Sequence, residues 1–360
     1  MKTTLQTILT ICFFILFTQT NVFAQGCVAI RSTGGLCAMD EHPDSTLKNG
    51  EWLYNGNGRY YQSYKHFVGK QEQYQRFALH NNVINTVETF DNSITRVFND
   101  RWSVSVTMPF AVNRRSQLAG TTRFSTHSAG LGDIRAAAYY WLLDPAKVHN
   151  FNIQVGLGIK FATGDDNVQD YFLQANGTRV LGPVDQSIQL GDGGTGYTLE
   201  INTFYNLSHS FGFYGNFFYL ANPMDVTGVA SSATAPTATK IAITSNVLSV
   251  PDQELIRAGA SLAVKRFDFT LGFRDDCLPV RDIIGESDGF RRPGRILSAE
   301  PGATYRFKNI ALYAFVPIAI IRDRTQSVPD IRQTALTGVY THGDAAFADY
   351  VINLGVTVRF

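Results

Sequence analysis

The chain of 360 residues is 44% hydrophobic, 12% aromatic and only 17% charged, which excludes an intrinsically disordered polymer. Lys and Arg number 31 against 30 Asp and Glu, which excludes a dominant nucleic-acid or polyanion partner. Beyond the first two dozen positions no apolar run approaches the roughly 18 residues of a membrane helix, so a helical membrane protein is excluded as well.

The amino-terminal segment reads as a secretory signal. Lys2 supplies a positive start, Ile8 to Phe17 an apolar core too short for a membrane anchor, and Val22-Phe23-Ala24 a cleavage site before Gln25. Loss of residues 1–24 removes one charge, Lys2, and leaves the mature chain formally neutral. Residues 25–50 are then a short periplasmic segment. Within it, Cys27 and Cys37 flank a Gly-containing stretch in a chain bound for an oxidising compartment, so a Cys27–Cys37 disulfide is expected. Lipidation of Cys27 is the alternative, but Ala24 stands where the usual Leu would be. Cys277 has no His or second Cys beside it, which argues against a metal site.

From about residue 51 to the end the apolar residues alternate with polar ones, the period of a strand with two unlike faces. About twelve strands are expected, near 51–65, 84–98, 102–114, 131–143, 150–162, 196–207, 211–221, 253–265, 267–279, 295–307, 309–321 and 348–360. Their connections alternate between short turns and long polar loops near 66–83, 115–130, 163–195, 222–252, 280–294 and 322–347. A soluble sandwich has no reason for that rhythm. An outer-membrane barrel does, with tight turns on the periplasmic side, long loops outside and an even strand number. The fold expected over 51–360 is therefore an all-β, transmembrane, antiparallel up-and-down β-barrel in contact with outer-membrane lipid.

Phe267, Phe269, Leu271 and Phe273 oppose Asp268, Thr270, Gly272 and Arg274, and other strands repeat the arrangement. Charges within a strand are costly against lipid, so this second face belongs in a wet or ion-paired lumen. It carries Asp133, Arg135, Lys160, Glu200, Arg257, Asp268, Arg274, Glu300, Arg306 and Arg359, with Tyr139, Phe204, Tyr214 and Phe218 pointing the same way. Two readings stand side by side: a filled, ion-paired interior, or a mixed-charge path for a small amphipathic or aromatic solute. Trp102, Tyr140, Trp141, Phe151, Tyr197 and Tyr219, at strand ends, suit the aromatic girdles of the two interfaces. The final strand, ending Val356-Thr357-Val358-Arg359-Phe360, resembles the signal read by bacterial barrel-assembly machinery, which makes that machinery an expected partner in a Gram-negative envelope.

In the loop 163–195, clustered carboxylates and glycines invite a phosphate or calcium reading. No Gly-Lys-Ser/Thr follows and the acidic spacing fits no calcium loop, so neither metal nor cofactor is expected. Gly130, Gly132 and Asp133 open one strand, and Gly158, Lys160, Thr163 and Gly164 close the next. Asp185-Gln186-Ser187-Ile188-Gln189 then leads to Gly191-Asp192-Gly193-Gly194. In this order and spacing, best over about 130–200, they resemble the outer-membrane transporters of the meta-pathway phenol-degradation family, from which Ala162 departs where Pro is usual. The resemblance implies an outer-membrane barrel that passes hydrophobic or aromatic compounds.

A different class would be a barrel hydrolase of the phospholipase kind, with His127-Ser128 as its adjacent base and nucleophile. The pattern expected there, His, one residue, then Ser-Asn-Gly, is absent, so no enzyme is expected. A structural or adhesive barrel is a third class, compatible with the long loops. The preferred expectation is a passive channel for small hydrophobic or aromatic compounds.

Overall fold

The computed structural model describes residues 49–360. The signal segment and the Cys27–Cys37 pair lie outside the described residues. The barrel wall comprises β1 (Trp52–Val68), β2 (Ile84–Val97), β3 (Trp102–Ala119), β4 (Thr122–Leu131), β5 (Arg135–Trp141), β6 (Phe151–Lys160) and β7 (Gly196–Asn206). It continues through β8 (Phe211–Ala221), β9 (Gln253–Val264), β10 (Phe267–Leu278), β11 (Gly294–Phe307), β12 (Ile310–Phe315), β13 (Ile318–Asp323) and β14 (Ala345–Arg359). β4 and β5 both pair with β3, and β12 and β13 both pair with β11, so each couple is one interrupted stave. The result is a closed, antiparallel barrel of twelve staves.

β14 pairs with β1 from Leu53↔Arg359 to Phe67↔Ala345, and Phe360 and Trp52 exchange backbone bonds of 2.8 and 3.0 Å at its foot. That pairing closes the sheet, and closure removes the unpaired edges that so many strands would otherwise expose.

The alternation is realised as two surfaces. On β10, Phe267, Phe269, Leu271 and Phe273 are 45–64% exposed, whereas Asp268 and Arg274 are buried. Trp102, Phe110, Leu157, Leu199, Phe213, Leu312 and Leu354 extend the apolar belt around the barrel. An apolar surface of that extent is stable only against hydrocarbon. Of the aromatics expected in the girdles, Trp141 is different. It is register-paired with the luminal Gln154 and packs edge-on against Phe204, 6.0 Å between centroids, inside the lumen near the short turns. An odd or even position decides the face of a strand residue, and Trp141 shares the parity of Arg135 and Tyr139.

Both stave interruptions follow from proline. Pro109 in β3 has no N–H to give, and the opposing strand leaves the ladder at 132–134, where Gly132 N instead donates to Pro109 O at 2.8 Å. At the second gap Pro301 of β11 plays the part of Pro109, taking a bond from Val316 N at 3.0 Å, and Pro317 lies in the gap itself. The expected loop 115–130 is mostly wall: β3 and β4 run on as a hairpin around Gly120, which takes φ +58°. Its polar residues resemble loop composition because this hairpin stands above the apolar belt. The loop 322–347 holds the helix Val328–Thr337, capped by Ser327 and Asp330 and ended by left-handed Gly338.

Candidate functional site: the barrel lumen

The luminal face is held by bonds that pass from stave to stave. Asn202 Nδ2 donates to Gln154 Oε1 and Asn216 Nδ2 to Asn202 Oδ1, both at 3.1 Å. Arg257 Nη1 donates to Asn216 Oδ1 at 3.3 Å, and its Nε to Glu300 Oε1 at 2.6 Å. Arg274 lies 3.6 Å from the other Glu300 oxygen and forks onto Asp276 at 2.7 and 2.8 Å. Glu300 is wholly buried, and two guanidiniums flank it. Arg135 pairs with Glu200, which also accepts from Tyr139 Oη at 3.1 Å, and Arg306 meets Asp268 at 3.0 Å.

The aromatic rings expected inside line this wall. Phe218 lies beneath Arg135 at 5.7 Å, and Tyr214 and Phe315 flank Arg257 at 5.8 and 5.3 Å. Tyr139 fits flat because Gly156 stands across from it, where a Cβ would come within 2.6 Å of the ring. Arg359 shares the luminal parity at the foot of β14, register-paired with Leu53.

A second cluster forms where the loop 163–195 meets the wall. Lys160 Nζ contacts Asp192, reaches Asp133 at 3.3 Å and donates to Gly194 O at 2.5 Å. Asp133 accepts from Gly164 N at 3.0 Å and Asp192 N at 3.1 Å, and Thr163 Oγ1 accepts from Ile134 N at 2.8 Å. Gly164 and Gly191 touch backbone to backbone, and a Cβ on Gly191 would fall 2.3 Å from Gly164 O. Among the quoted motif residues, Gly132, Asp133, Lys160, Thr163, Gly164, Gly191 and Asp192 thus meet at one junction. Gly158 lies lower on the wall facing Thr198, Gly130 faces Leu190, and Gly193 turns beside Asp166.

The feature absent from the sequence reading is that this loop folds into the barrel. Ile188 is fully buried and Val184 nearly so. Ile188 O accepts from Ser128 Oγ and, at 3.4 Å, from Asn113 Nδ2. Asp185 caps the short turn Gln186–Ile188 and is gripped by Arg115 at 3.3 Å and Arg292 at 2.6 Å. Burial alone would raise the Asp185 pKa; the two guanidiniums outweigh it and hold the carboxyl well below the usual carboxylate range. Arg115, Arg292 and Asn113 were not selected from the sequence because their value depends on a loop returning from about 70 positions or more away.

Below the inserted segment a partly open cavity is lined by Tyr61, Val87, Ala111, Leu190, Phe218 and Leu220. Arg59, Asp133, Arg135, Lys160 and Asp192 reach its surface. Apolar patches between ion-paired charges make this space amphipathic. Above the segment, a second, smaller cavity is lined by Asp166, Gln186, Thr227, Leu248 and Pro251. Among the described residues no group of three or more metal-ligating side chains converges.

The His127-Ser128 pair cannot act as base and nucleophile. Adjacent residues of a strand face opposite ways. His127 is 61% exposed beside Asp170, while Ser128 is buried toward the lumen.

No protein-family model matches the sequence, and no curated protein matches it. Solved structures do. A crystal structure of an outer-membrane channel from Pseudomonas putida F1 aligns with 89% of this chain and 98% of its own, at TM-score 0.55 and 11% identity. The translocator domain of the autotransporter NalP from Neisseria meningitidis aligns with 88% of this chain and 90% of its own, at TM-score 0.46 and 13% identity. The toluene transporter TbuX from Ralstonia pickettii aligns over 87% and 90%, at TM-score 0.42 and 12% identity. The Pseudomonas putida match places this chain in the fold of outer-membrane β-barrels.

Proposed function

We propose that the protein is a passive outer-membrane channel for small hydrophobic or aromatic solutes. The observation that carries the reading is the luminal cavity, where Tyr61, Val87, Phe218 and Leu220 give an apolar slot between charges already matched by partners. Paired charges impose no strong ion preference, and the apolar walls favour a desolvated ring or short chain over a sugar. The channel description of the Pseudomonas putida protein and the motif resemblance to the phenol-degradation transporters agree with this reading. We further propose that β14, followed directly by the Phe360 that closes the wall on Trp52, is the strand offered to the assembly machinery.

The test is uptake by intact Gram-negative cells, whose lipopolysaccharide leaflet slows apolar solutes. Cells producing the protein should accumulate a labelled monoaromatic solute faster than cells lacking it, with trisaccharide entry unchanged. Equal aromatic uptake in the two strains would overturn the proposal.

A further inference from the structure

The two cavities share three lining residues, Gln189, Asp192 and Gln253. Two of these are clamped. Gln189 Nε2 donates to Val184 O and its Oε1 accepts from Val168 N, both at 2.9 Å. Asp192 is held by Lys160 and by Gly194 N. Gln253 differs: only 6% of it is exposed, yet its buried Oε1 has no hydrogen-bond partner. A buried amide oxygen left unbonded costs about 1–3 kcal/mol elsewhere in proteins, so at the junction of the two cavities it favours a hydrogen-bond donor entering either space. Across the inner cavity Asn113 Oδ1 is likewise buried and unbonded. Its orientation is settled, because Asn113 Nδ2 donates to Ser128 Oγ at 3.0 Å and to Ile188 O.

We propose that the Gln253 side chain is the movable partition between the outer and inner cavities, and that it recognises apolar solutes bearing a hydrogen-bond donor. Swinging about its side-chain torsions merges the two spaces without disturbing the clamps on Gln189 and Asp192. A hydroxyl or amide on the passing molecule supplies the partner that Gln253 Oε1 lacks, and Asn113 Oδ1 receives it inside. A hydrocarbon of the same size supplies neither. The proposal rests on the channel reading, but its test measures access to the cavity and not uptake, so the two fail separately.

Ala111 lines the inner cavity, and Ala111→Cys places a reporter there. Intact cells are treated with a membrane-impermeant methanethiosulfonate, with the protein lacking that cysteine as background. Gln253→Ala, and Gln253→Ser as a second variant, should speed labelling about tenfold, because a closed gate's open state is a minor population of ~0.1–10%. Heat-modifiable migration verifies that each variant is folded. In the protein with Gln253 intact, benzyl alcohol should slow labelling more than toluene at equal concentration, and Gln253→Leu should erase that difference. Labelling no faster in folded Gln253→Ala and Gln253→Ser, or equal protection by the two solutes, would overturn the proposal.

Discussion

The two charge clusters of the lumen use the same residue types for different ends. The cluster around Glu300 joins strand to strand: Arg257, Arg274 and Asp276 all project from the wall itself. The cluster around Lys160 joins wall to loop, since Asp192 belongs to the returning segment and Asp133 to a gap in the ladder. The first braces a closed cylinder. The second fastens an insert that divides it. An inward charge therefore has no fixed meaning in a barrel; its role depends on whether the opposite charge comes from the neighbouring strand or from a loop.

The largest expected effect separates these roles. Glu300→Leu leaves two buried guanidiniums without their shared carboxylate and should cost about 3–5 kcal/mol, read as a fall in the temperature at which the compact gel band is lost. Lys160→Met should cost less, about 1–3 kcal/mol, because its carboxylates keep backbone N–H donors. It should nevertheless make the loop 163–195 the first site of proteolysis, and equal cleavage in the two variants would erase the distinction. Asp185→Asn weakens only the grip on the insert. It should lower the gel transition less than Glu300→Leu does, because the wall keeps its own pairs, while raising conductance across planar bilayers.

The smallest effect is that of acid. A carboxyl depressed in the folded state contributes stability above its unfolded pKa, about 3.9, and loses it only as pH falls through the lower folded value. Asp185 is depressed by Arg115 and Arg292. Asp344, outside the wall, is likewise held at about 2 by His66 and Arg76 against the opposing effect of burial. Conductance should therefore stay constant from about pH 7 to about pH 5, and loop release should begin only below the ordinary carboxylate range, near pH 3.9. A rise already at pH 5 would show that the Asp185 latch is not what holds the insert.

Much of the wall was legible because period-2 alternation needs no partner to be read. β10 declares its two faces through Phe267 to Arg274 alone, and the long and short connections order the staves. Parity even locates Trp141 inside, although its place at a strand end suggests a girdle. The openings of the ladder at 132–134 and 316–317 were not foreseen, because the alternation runs through Pro109 and Pro317 without a break in period. Arg59 was missed because Gly58 and Tyr60 beside it do not mark a clear lipid face. Arg115 was missed because it lies in a stretch whose composition reads as loop, although it belongs to β3.

By itself, the sequence determined an alternating, twelve-stave cylinder with charges turned inward, since face and strand number follow from local period and spacing. Only the tertiary structure decided what those charges meet and how the lumen is divided. Asp185 and Ile188 reach the wall because a loop folds back between strands far apart in the chain, and such a contact leaves no periodic trace. Gln253 is an ordinary polar residue in its strand. It becomes a partition only where the insert brings a second cavity against the first.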